Sequence, residues 1–188
     1  MLVEIIIPTH DRPAALASML ASLIAQTDPD WGAHVVIDNL EGDHIIELVE
    51  SFGDPRIKWT KLKERYNDWG HTPREYGKQQ SDADYIIMSG DDNYYVPILV
   101  EEIRKATIDK PGIVYWDMVH SHRNYEYFRC APFICQIDMG AFATRRDIAQ
   151  TLKLNTTYAA DCEYIEEFKF RHPTEWIAKI QKVLFVHN

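Results

Sequence analysis

Residues 84–97 read Asp-Tyr-Ile-Ile-Met-Ser-Gly-Asp-Asp-Asn-Tyr-Tyr-Val-Pro, and this stretch decides how the rest of the chain is interpreted. Its beginning is apolar and rich in aromatic and β-branched residues, which predicts a buried strand. The strand breaks at Ser89-Gly90, so the Asp-Asp-Asn of residues 91–93 falls on a loop. Pro97 then predicts the first turn of a helix, where proline is tolerated.

The adjacent carboxylates of Asp91 and Asp92 leave two interpretations open. Side-by-side negative charges repel, so they are usually placed together for a reason such as holding a hard divalent cation. Alternatively they form a solvated turn, with Asn93 capping the next helix. The solvated turn is favoured for the isolated motif, and the remainder of the sequence favours the cation site.

Size and charge bound the possible functions. The chain has 188 residues, of which 46% are hydrophobic and 26% charged, as in one ordinary globular domain with a full core. The net charge of −9 argues against a nucleic-acid groove built from a basic face. A phosphorylated small ligand remains compatible with it, because a metal ion and a few arginines or backbone N–H groups can bind one.

The cysteines and apolar runs bear on the compartment. Cys130, Cys135 and Cys162 have no repeated spacing, which fits neither a disulfide framework nor a zinc site. We therefore expect reduced thiols and a cytoplasmic location. Residues 1–8 are too short and too early acidic for a signal peptide. No apolar run approaches the ~20 residues of a membrane span, so any membrane association is expected to be peripheral.

The first half of the chain alternates strands and helices. Apolar runs predict strands at 2–7, 33–37, 57–60 and 85–88, and helical spacing predicts helices at 13–24, 45–52 and 73–80. This alternation predicts a doubly wound, mostly parallel α/β sheet, in which ligands bind beyond the carboxyl ends of the strands. Polar clusters follow three of these strands, at residues 9–12, 38–39 and 91–93, and we expect them to share one site.

The second half has a different pattern but contains no repeat or linker, so residues 1–188 are expected to form a single domain. Residues 117–129 are aromatic, polar and rich in histidine, which is typical of a ligand-handling loop or ribbon. A strand containing Gly140 is predicted at 135–144. The other predicted elements are helices at 97–107, 145–152 and 161–170 and strands at 112–116 and 182–186.

Several segments together carry a resemblance to a known family. They are residues 5–13, containing Pro-Thr-His-Asp-Arg; 22–27; 35–39, ending in Asp-Asn; 73–77, Pro-Arg-Glu-Tyr-Gly; 85–97; 138–142 with Arg145-Arg146; and 160–163, Ala-Asp-Cys-Glu. Each is weak alone, but their order and spacing resemble a family 2 glycosyltransferase catalytic domain. The resemblance covers essentially the whole chain and implies the GT-A fold, a Rossmann-like nucleotide-diphospho-sugar-binding domain. Residues 1–97 would be the nucleotide-sugar-binding half and residues 98–188 the acceptor-side half.

Two positions depart from the family pattern. Gly90 stands where the metal-binding Asp-x-Asp motif has its first aspartate. Ala160 stands where the family has the glutamate of a Glu-Asp pair, so the catalytic base would rest on Asp161 alone, with Glu163 as its nearest substitute.

The resemblance implies a donor site in the first half of the chain. Asp38 would accept a hydrogen bond from a nucleobase, although it could merely cap a loop. Arg74 would reach a base carbonyl or a phosphate, and its alternative is a solvated helix position. Asp91 would contact the ribose. The remaining nucleotide-sugar-binding residues are expected to be Pro8, Thr9, Asp11 and Arg12, with Asn67 and Lys78 as weaker candidates.

The resemblance also implies a metal and a catalytic base. Asp92 and His187 would bind Mn²⁺ or Mg²⁺, although a histidine at that position is often inert. Asp161 would take the proton of the acceptor hydroxyl, and its alternative is a helix N-cap. The acceptor side is expected to be shaped by His120, His122, Arg123, Tyr125 and Tyr127, a cluster that could equally be ordinary packing.

The expected function is a metal-dependent, inverting glycosyltransferase. The donor is expected to be a nucleotide-diphosphate sugar, UDP-linked, and the acceptor a saccharide or other hydroxyl compound. A nucleotide-sugar-binding domain without turnover is an alternative, which Gly90 and Ala160 make plausible. A sugar-phosphate nucleotidylyltransferase ranks below both, because that class resembles a glycine-rich loop after the first strand and residues 8–12 contain no glycine.

Overall fold

The fold is built on one continuous sheet, and the predicted site segments are attached to its strands. The computed structural model describes residues 1–133 and 136–188, and within these residues the sheet has the strand order β3-β2-β1-β4-β8-β6-β9-β5, with β7 paired to β6. The strands are β1 Val3–Thr9, β2 Trp31–Ile37, β3 Ile57–Lys61, β4 Tyr85–Met88, β5 Tyr94–Tyr95, β6 Ile113–His120, β7 Glu126–Phe128, β8 Phe142–Arg145 and β9 Ile177–His187. The helices are α1 Pro13–Ile24, α2 Asp43–Ser51, α3 His71–Gln80, α4 Leu99–Ala106, α5 Arg146–Ala149 and α6 Ala160–Arg171.

The first half of the sheet is parallel, as the alternation of strands and helices predicts. β1 pairs with β2 from Val3↔Trp31 to Thr9↔Ile37 and with β4 on its other side. Every residue of β1 is buried, which explains its nearly continuous apolar sequence. Because β1, β2 and β4 run the same way, the loops after Thr9, Ile37 and Met88 leave from one edge of the sheet.

The second half mixes strand directions. β8 lies antiparallel between β4 and β6, and β5 and β7 are also antiparallel to their partners. β6 and β9 are parallel to each other, with His120 opposite His187 at their carboxyl ends. The sheet is therefore mostly parallel, with β5, β7 and β8 as its antiparallel strands, and the predicted α/β architecture with a mostly parallel sheet is confirmed.

Several elements differ from their predicted extents. β6 extends past residue 116, the predicted end of its strand, to His120 and returns as the antiparallel β7, so the loop or ribbon predicted for residues 117–129 takes the ribbon form. The strand predicted at 135–144 is a 3₁₀ turn at 139–141 followed by β8, because the Asp138 carboxylate accepts a hydrogen bond from the Gly140 amide (2.8 Å). The start of that predicted strand, with Cys135, lies outside the described residues. β5 precedes α4, which begins at Leu99 rather than Pro97.

The described helices do not provide a membrane crossing. Among residues 1–133 and 136–188, none combines the length and the apolar character that spanning a bilayer requires.

Close packing of α3 against the sheet requires a glycine at position 77. A methyl group at Gly77 would lie 2.4 Å from Cγ2 of Ile6 and 3.2 Å from Cγ2 of Val36. Both neighbours are fully buried in the strands beneath the helix, so neither has room to withdraw. α3 is therefore held directly on β1 and β2, and this contact sets the height of Arg74 above the sheet edge.

We expect Gly77→Ala to lower the free energy of unfolding by about 1–3 kcal/mol, the usual cost of overpacking a core. The better helix propensity of alanine offsets about 0.5–1 kcal/mol of it. Urea denaturation followed by circular dichroism measures the difference. Gly32→Ala is the matched control, since its added methyl group meets nothing closer than 3.7 Å. An unchanged midpoint for Gly77→Ala would contradict the close contact.

Candidate functional site

Two cavities lie side by side at the carboxyl edge of the sheet. The first cavity, of about 410 Å³, is lined by the predicted residues Pro8, Thr9, Asp11, Arg12 and Asp38. The second cavity, of about 500 Å³, is lined by Asp161 and His187 together with residues of β6 and the 138–139 segment. Trp69 lines both. The predicted site residues of both halves of the chain therefore gather at one edge.

Asp91 is the buried centre of this edge. Its carboxylate is fully inaccessible, accepts a hydrogen bond from Thr9 Oγ1 (2.7 Å) and lies 2.8 Å from Nη2 of Arg12. Burial raises the pKa of Asp91, and the Thr9 hydroxyl and the Arg12 charge oppose that rise. Both carboxylate oxygens are thus engaged within the protein, and the contact with a ribose stays a prediction.

Arg12 also pairs with Asp92. Its Nη1 donates to Oδ2 of Asp92, so one guanidinium bridges the two adjacent carboxylates. The Asp92 side chain is one-quarter exposed, and its Oδ1 lies on the Gly90 side, 3.0 Å from where a Cβ at that position would be. Asp92 is the more accessible of the two acids, as a ligand for an incoming cation has to be.

Asp38 holds a loop over the first cavity. Its carboxylate accepts hydrogen bonds from the backbone N–H groups of Tyr66 (2.9 Å) and Asn67 (3.3 Å). The loop has positive φ angles at Asn67 (52°), Trp69 (58°) and Gly70 (81°), which are costly for the first two. The Asp38 anchor compensates this strain. Whether Asp38 also accepts from a nucleobase stays a prediction.

Asp11 has a different environment from Asp38. Its carboxylate is exposed and lies 2.8 Å from Nε2 of His44, at the rim of the first cavity. The contact of Asp11 with a nucleotide stays a prediction.

Arg74 connects α3 to the loops on either side of it. Its Nε donates to the Ser89 carbonyl (2.7 Å) and its Nη1 to the Trp69 carbonyl (2.9 Å). Burial lowers the pKa of Arg74, while the surrounding carboxylates, chiefly those of Asp138 and Asp91, favour its charged form.

The two weaker candidates, Asn67 and Lys78, have different environments. Asn67 lines the first cavity, whereas Lys78 is fully buried and pairs with Glu75.

Asp161 lies in the first turn of α6 and lines the second cavity. Burial raises the pKa of Asp161 above its usual range, and a hydrogen bond from the Cys162 N–H (2.7 Å) opposes that rise. A carboxylate with a raised pKa is a stronger base when ionised. Glu163 is turned away to accept a hydrogen bond from Asn155 (2.7 Å), and Ala160 is buried. Asp161 is therefore the acid of this segment that faces the cavity.

His187 ends β9 beside the 91–93 loop. Its Nε2 lies 3.3 Å from Oδ2 of Asp138, and this hydrogen bond raises the pKa of His187 against the opposing effect of burial. The Asp92 and Asp161 carboxylates raise it further. His187 is therefore within the electrostatic reach of both predicted functional acids.

The predicted acceptor-side cluster divides in two. His120 and Arg123 line the second cavity, and the ring of His122 packs against those of His120 and His187, with centroids 5.2 and 5.8 Å away. Tyr125 and Tyr127 are exposed and do not line that cavity.

Three residues of the site were not predicted from the sequence. Asp138 pairs with His187, and the exposed rings of Trp69 and Tyr158 meet edge to face above the second cavity, 6.3 Å apart. Trp69 is 66% exposed and Tyr158 87% exposed. The sequence offers one signal, and it concerns Trp69. This tryptophan lies beside a glycine in a polar loop rather than in an apolar run, which indicates a ring outside the core.

We expect Asp38→Asn to loosen the loop over the first cavity, because the new NH₂ group would face a backbone N–H. Losing a charged acceptor costs about 1–3 kcal/mol, which predicts at least about fivefold faster trypsin cleavage after the exposed Lys63 or Arg65. Asp11→Asn is the control, since its exposed carboxylate holds no backbone group. Equal cleavage rates for wild type and Asp38→Asn would refute the anchor.

Comparison with known proteins identifies relatives of this chain. The family described as Glycosyl transferase family 2 matches residues 4–164. A protein of Haemophilus influenzae (strain ATCC 51907 / DSM 11121 / KW20 / Rd), named an uncharacterized glycosyltransferase, is 22% identical over 112 residues. That alignment covers 60% of this chain and 36% of the relative, so the chain spans only part of the relative's length.

Solved structures share the fold over the whole chain. TarS 1–349 of S. aureus has a TM-score of 0.84 at 15% identity, over 100% of this chain and 60% of that one. TarS 1–349 in complex with UDP-GlcNAc has a TM-score of 0.81 at 13% identity, over 99% and 58%. The mannosyltransferase PcManGT of Pyrobaculum calidifontis, in complex with GDP-Man and Mn²⁺, has a TM-score of 0.74 at 15% identity, over 98% and 56%.

At these identities the solved structures establish the fold, which is that of the GT-A glycosyltransferases. The family match is broader evidence, since it includes β1, the 91–93 loop and the first turn of α6 within residues 4–164. The chain therefore belongs to glycosyl transferase family 2.

Proposed function

We propose that the chain is an inverting, metal-dependent glycosyltransferase that uses a nucleotide-diphosphate sugar, with UDP as the expected nucleotide. The observation that carries the proposal is the position of Asp161. This carboxylate, with its raised pKa, lines the second cavity, which adjoins the loop-covered first cavity through the shared residue Trp69. The proposed base and the proposed nucleotide pocket are thus separated only by the side chain of Trp69.

The first cavity suits the nucleotide. It offers Asp38 and the 66–70 loop on one side and Thr9 and Arg12 on the other. The fold neighbours solved with UDP, UDP-GlcNAc and GDP-Man support a nucleotide as the ligand of this fold. Arg12 and Arg65 line this cavity, and Arg74 contacts its wall at the Trp69 carbonyl; these cations would compensate the charge of a diphosphate.

The residues present fit a divalent cation. Asp92 is a partly exposed carboxylate on the loop after β4, and the buried Nδ1 of His187 has no hydrogen-bond partner among residues 1–133 and 136–188. When bound, Mn²⁺ or Mg²⁺ would compensate the charge that develops on the leaving diphosphate. Gly90 leaves room for Asp92 in this arrangement, because a side chain at position 90 would crowd Oδ1 of Asp92.

Asp161 would act as the base from the second cavity. It accepts the proton of the acceptor hydroxyl as that oxygen bonds to the anomeric carbon and the bond to the diphosphate oxygen breaks. One displacement of this kind inverts the anomeric configuration. The exposed rings of Trp69 and Tyr158 offer apolar faces against which a sugar could lie.

We expect Asp161→Asn to lower kcat at least about 100-fold, since general base catalysis contributes about 10²–10⁴. The affinity for UDP should stay within about twofold, because Asp161 does not line the first cavity. Glu167→Gln is the control, as Glu167 lies on the same helix but pairs with Arg171 (2.7 Å). Donor binding without turnover in the wild type would instead identify a binding domain that has lost catalysis.

Stability provides a second measurement on Asp161→Asn. Burial raises the folded-state pKa of Asp161 above its unfolded value. Ionisation of Asp161 therefore lowers the free energy of unfolding as the pH rises from the unfolded-state pKa to the folded-state pKa. The asparagine variant should therefore be at least as stable as wild type at pH 7 in urea. Wild-type turnover should fall as pH decreases through the raised pKa. A marked loss of stability in the variant would indicate a structural role for Asp161.

We expect Asp92→Ala to abolish the metal-dependent part of turnover without unfolding the chain. Its side chain is partly exposed, so its loss leaves no core cavity. A thermal-shift titration with UDP and Mn²⁺ should raise the unfolding midpoint of wild type and raise that of Asp92→Ala less. Undiminished activity of the variant in the presence of EDTA would rule out the metal assignment.

A further inference from the structure

Three imidazole rings converge where β6 and β9 end. His120 ends β6 opposite His187 at the end of β9, and His122 follows in the 3₁₀ turn at 121–123. One ring nitrogen from each histidine lies within 4.8 Å of the other two. Three imidazoles on one ion need nitrogen separations of roughly 3.4 Å, given metal–nitrogen bonds of about 2.0–2.1 Å. Small side-chain rotations would close that difference.

Two ring nitrogens of this histidine cluster are buried without a hydrogen-bond partner among the described residues. Nδ1 of His120 and Nδ1 of His187 accept or donate no hydrogen bond within residues 1–133 and 136–188. An unpaired buried polar atom costs about 1–3 kcal/mol, so such atoms usually have a ligand or water in the working protein. The two atoms belong to strand-end residues that face each other across the β6–β9 pair.

Asp138 orients His187 for metal binding. Its Oδ2 lies 3.3 Å from Nε2 of His187, which directs the proton to Nε2 and leaves the lone pair on Nδ1. A carboxylate behind a metal-binding histidine is the common outer-shell arrangement in metalloproteins. Asp138 itself accepts a hydrogen bond from the Gly140 N–H (2.8 Å), so the orientation of His187 does not depend on a bound ion.

The surroundings favour a cation with open coordination positions. Asp138, Asp92 and Asp161 all act electrostatically on His187, so the local field is negative. His120 and His187 line the second cavity, and the His122 side chain is exposed beside it. An ion held by the three rings would therefore face the same space as Asp161.

We propose that His120, His122 and His187 together bind one divalent transition-metal ion through three imidazole nitrogens, with its open positions directed into the second cavity. Imidazole donors select Zn²⁺, Co²⁺ or Ni²⁺ over Mg²⁺ and Ca²⁺, which prefer oxygen. His187 then serves this ion, and the cation at Asp92 is left to carboxylate, diphosphate and water. A role in binding an oxygen of the acceptor rests on the proposed glycosyl transfer, whereas the ion site itself does not.

The test is a calorimetric titration of tag-free, metal-free chain with Zn²⁺ in the absence of nucleotide. One ion per chain is expected, with affinity at least about tenfold lower in His120→Ala and His122→Ala. Asp138→Asn should cost about 10–100-fold, as outer-shell partners do. His172→Ala is the control, because His172 is a half-buried histidine whose Nε2 is hydrogen-bonded to Thr151 (2.8 Å), and it does not belong to the three-ring cluster. Absence of binding, or wild-type affinity in His122→Ala, would overturn the proposal.

Cobalt substitution tests the open positions separately from catalysis. The visible absorption of the Co²⁺-loaded chain should change when azide is added, since azide occupies a free coordination position. An unchanged spectrum would refute the opening toward the cavity. Zn²⁺ binding retained in Asp92→Ala would separate this ion from the one proposed at Asp92, and binding lost in that variant would show that a single shared ion exists. That last outcome overturns the three-imidazole site while leaving the proposed transfer untouched.

Discussion

The buried carboxylate of Asp91 is the constraint on which the site depends. A charge with no access to water costs several kcal/mol unless it is paired and hydrogen-bonded. Thr9, at the end of β1, and Arg12, just before α1, supply those partners to a residue that follows β4. The ends of two parallel strands and the start of a helix are thus joined at one carboxylate, and the walls of the first cavity are positioned around it.

Much of this arrangement could be predicted from local sequence. β1 and β4 are short apolar runs followed by polar loops, and their parallel order forces those loops to one edge. Asp38 and Asp91 could be placed at that edge because each follows a strand that ends there, whereas Asp161 is indicated by the family resemblance. The alternation of strand and helix carries this information, and it is independent of how any side chain is packed.

The remainder depends on contacts between distant segments. The sequence predicts the last strand only over 182–186, whereas β9 begins at Ile177, because its earlier residues gain burial only by pairing with β6. Trp69 and Tyr158 lie nearly half the chain apart in sequence, and no local sequence pattern predicts that their rings meet. Asp138 similarly acquires its role from His187, which only the β6–β9 pairing brings near.

Gly90 and Ala160, the two departures from the family pattern, have structural counterparts. The space that a side chain at position 90 would need is taken by Oδ1 of Asp92 and the amide of Asn93, at 3.0 and 3.1 Å. Ala160 is packed in the core, where a longer acid would need a partner of its own. The proposed metal site and the proposed base would therefore each rest on a single aspartate, Asp92 in the first case and Asp161 in the second.

The bridge that Arg12 makes between Asp91 and Asp92 has a thermodynamic consequence. When both acids are ionised, the single Arg12 guanidinium offsets one of their two negative charges, so a cation that binds at Asp92 has to displace it from that carboxylate. The released guanidinium is then free to pair with an anion nearby. Occupancy by a cation and by an anionic ligand would therefore favour each other equally in both directions, as reciprocal linkage requires. If both ligands bind as proposed, Arg12 is an internal counter-ion that couples the affinity for one ligand to the presence of the other.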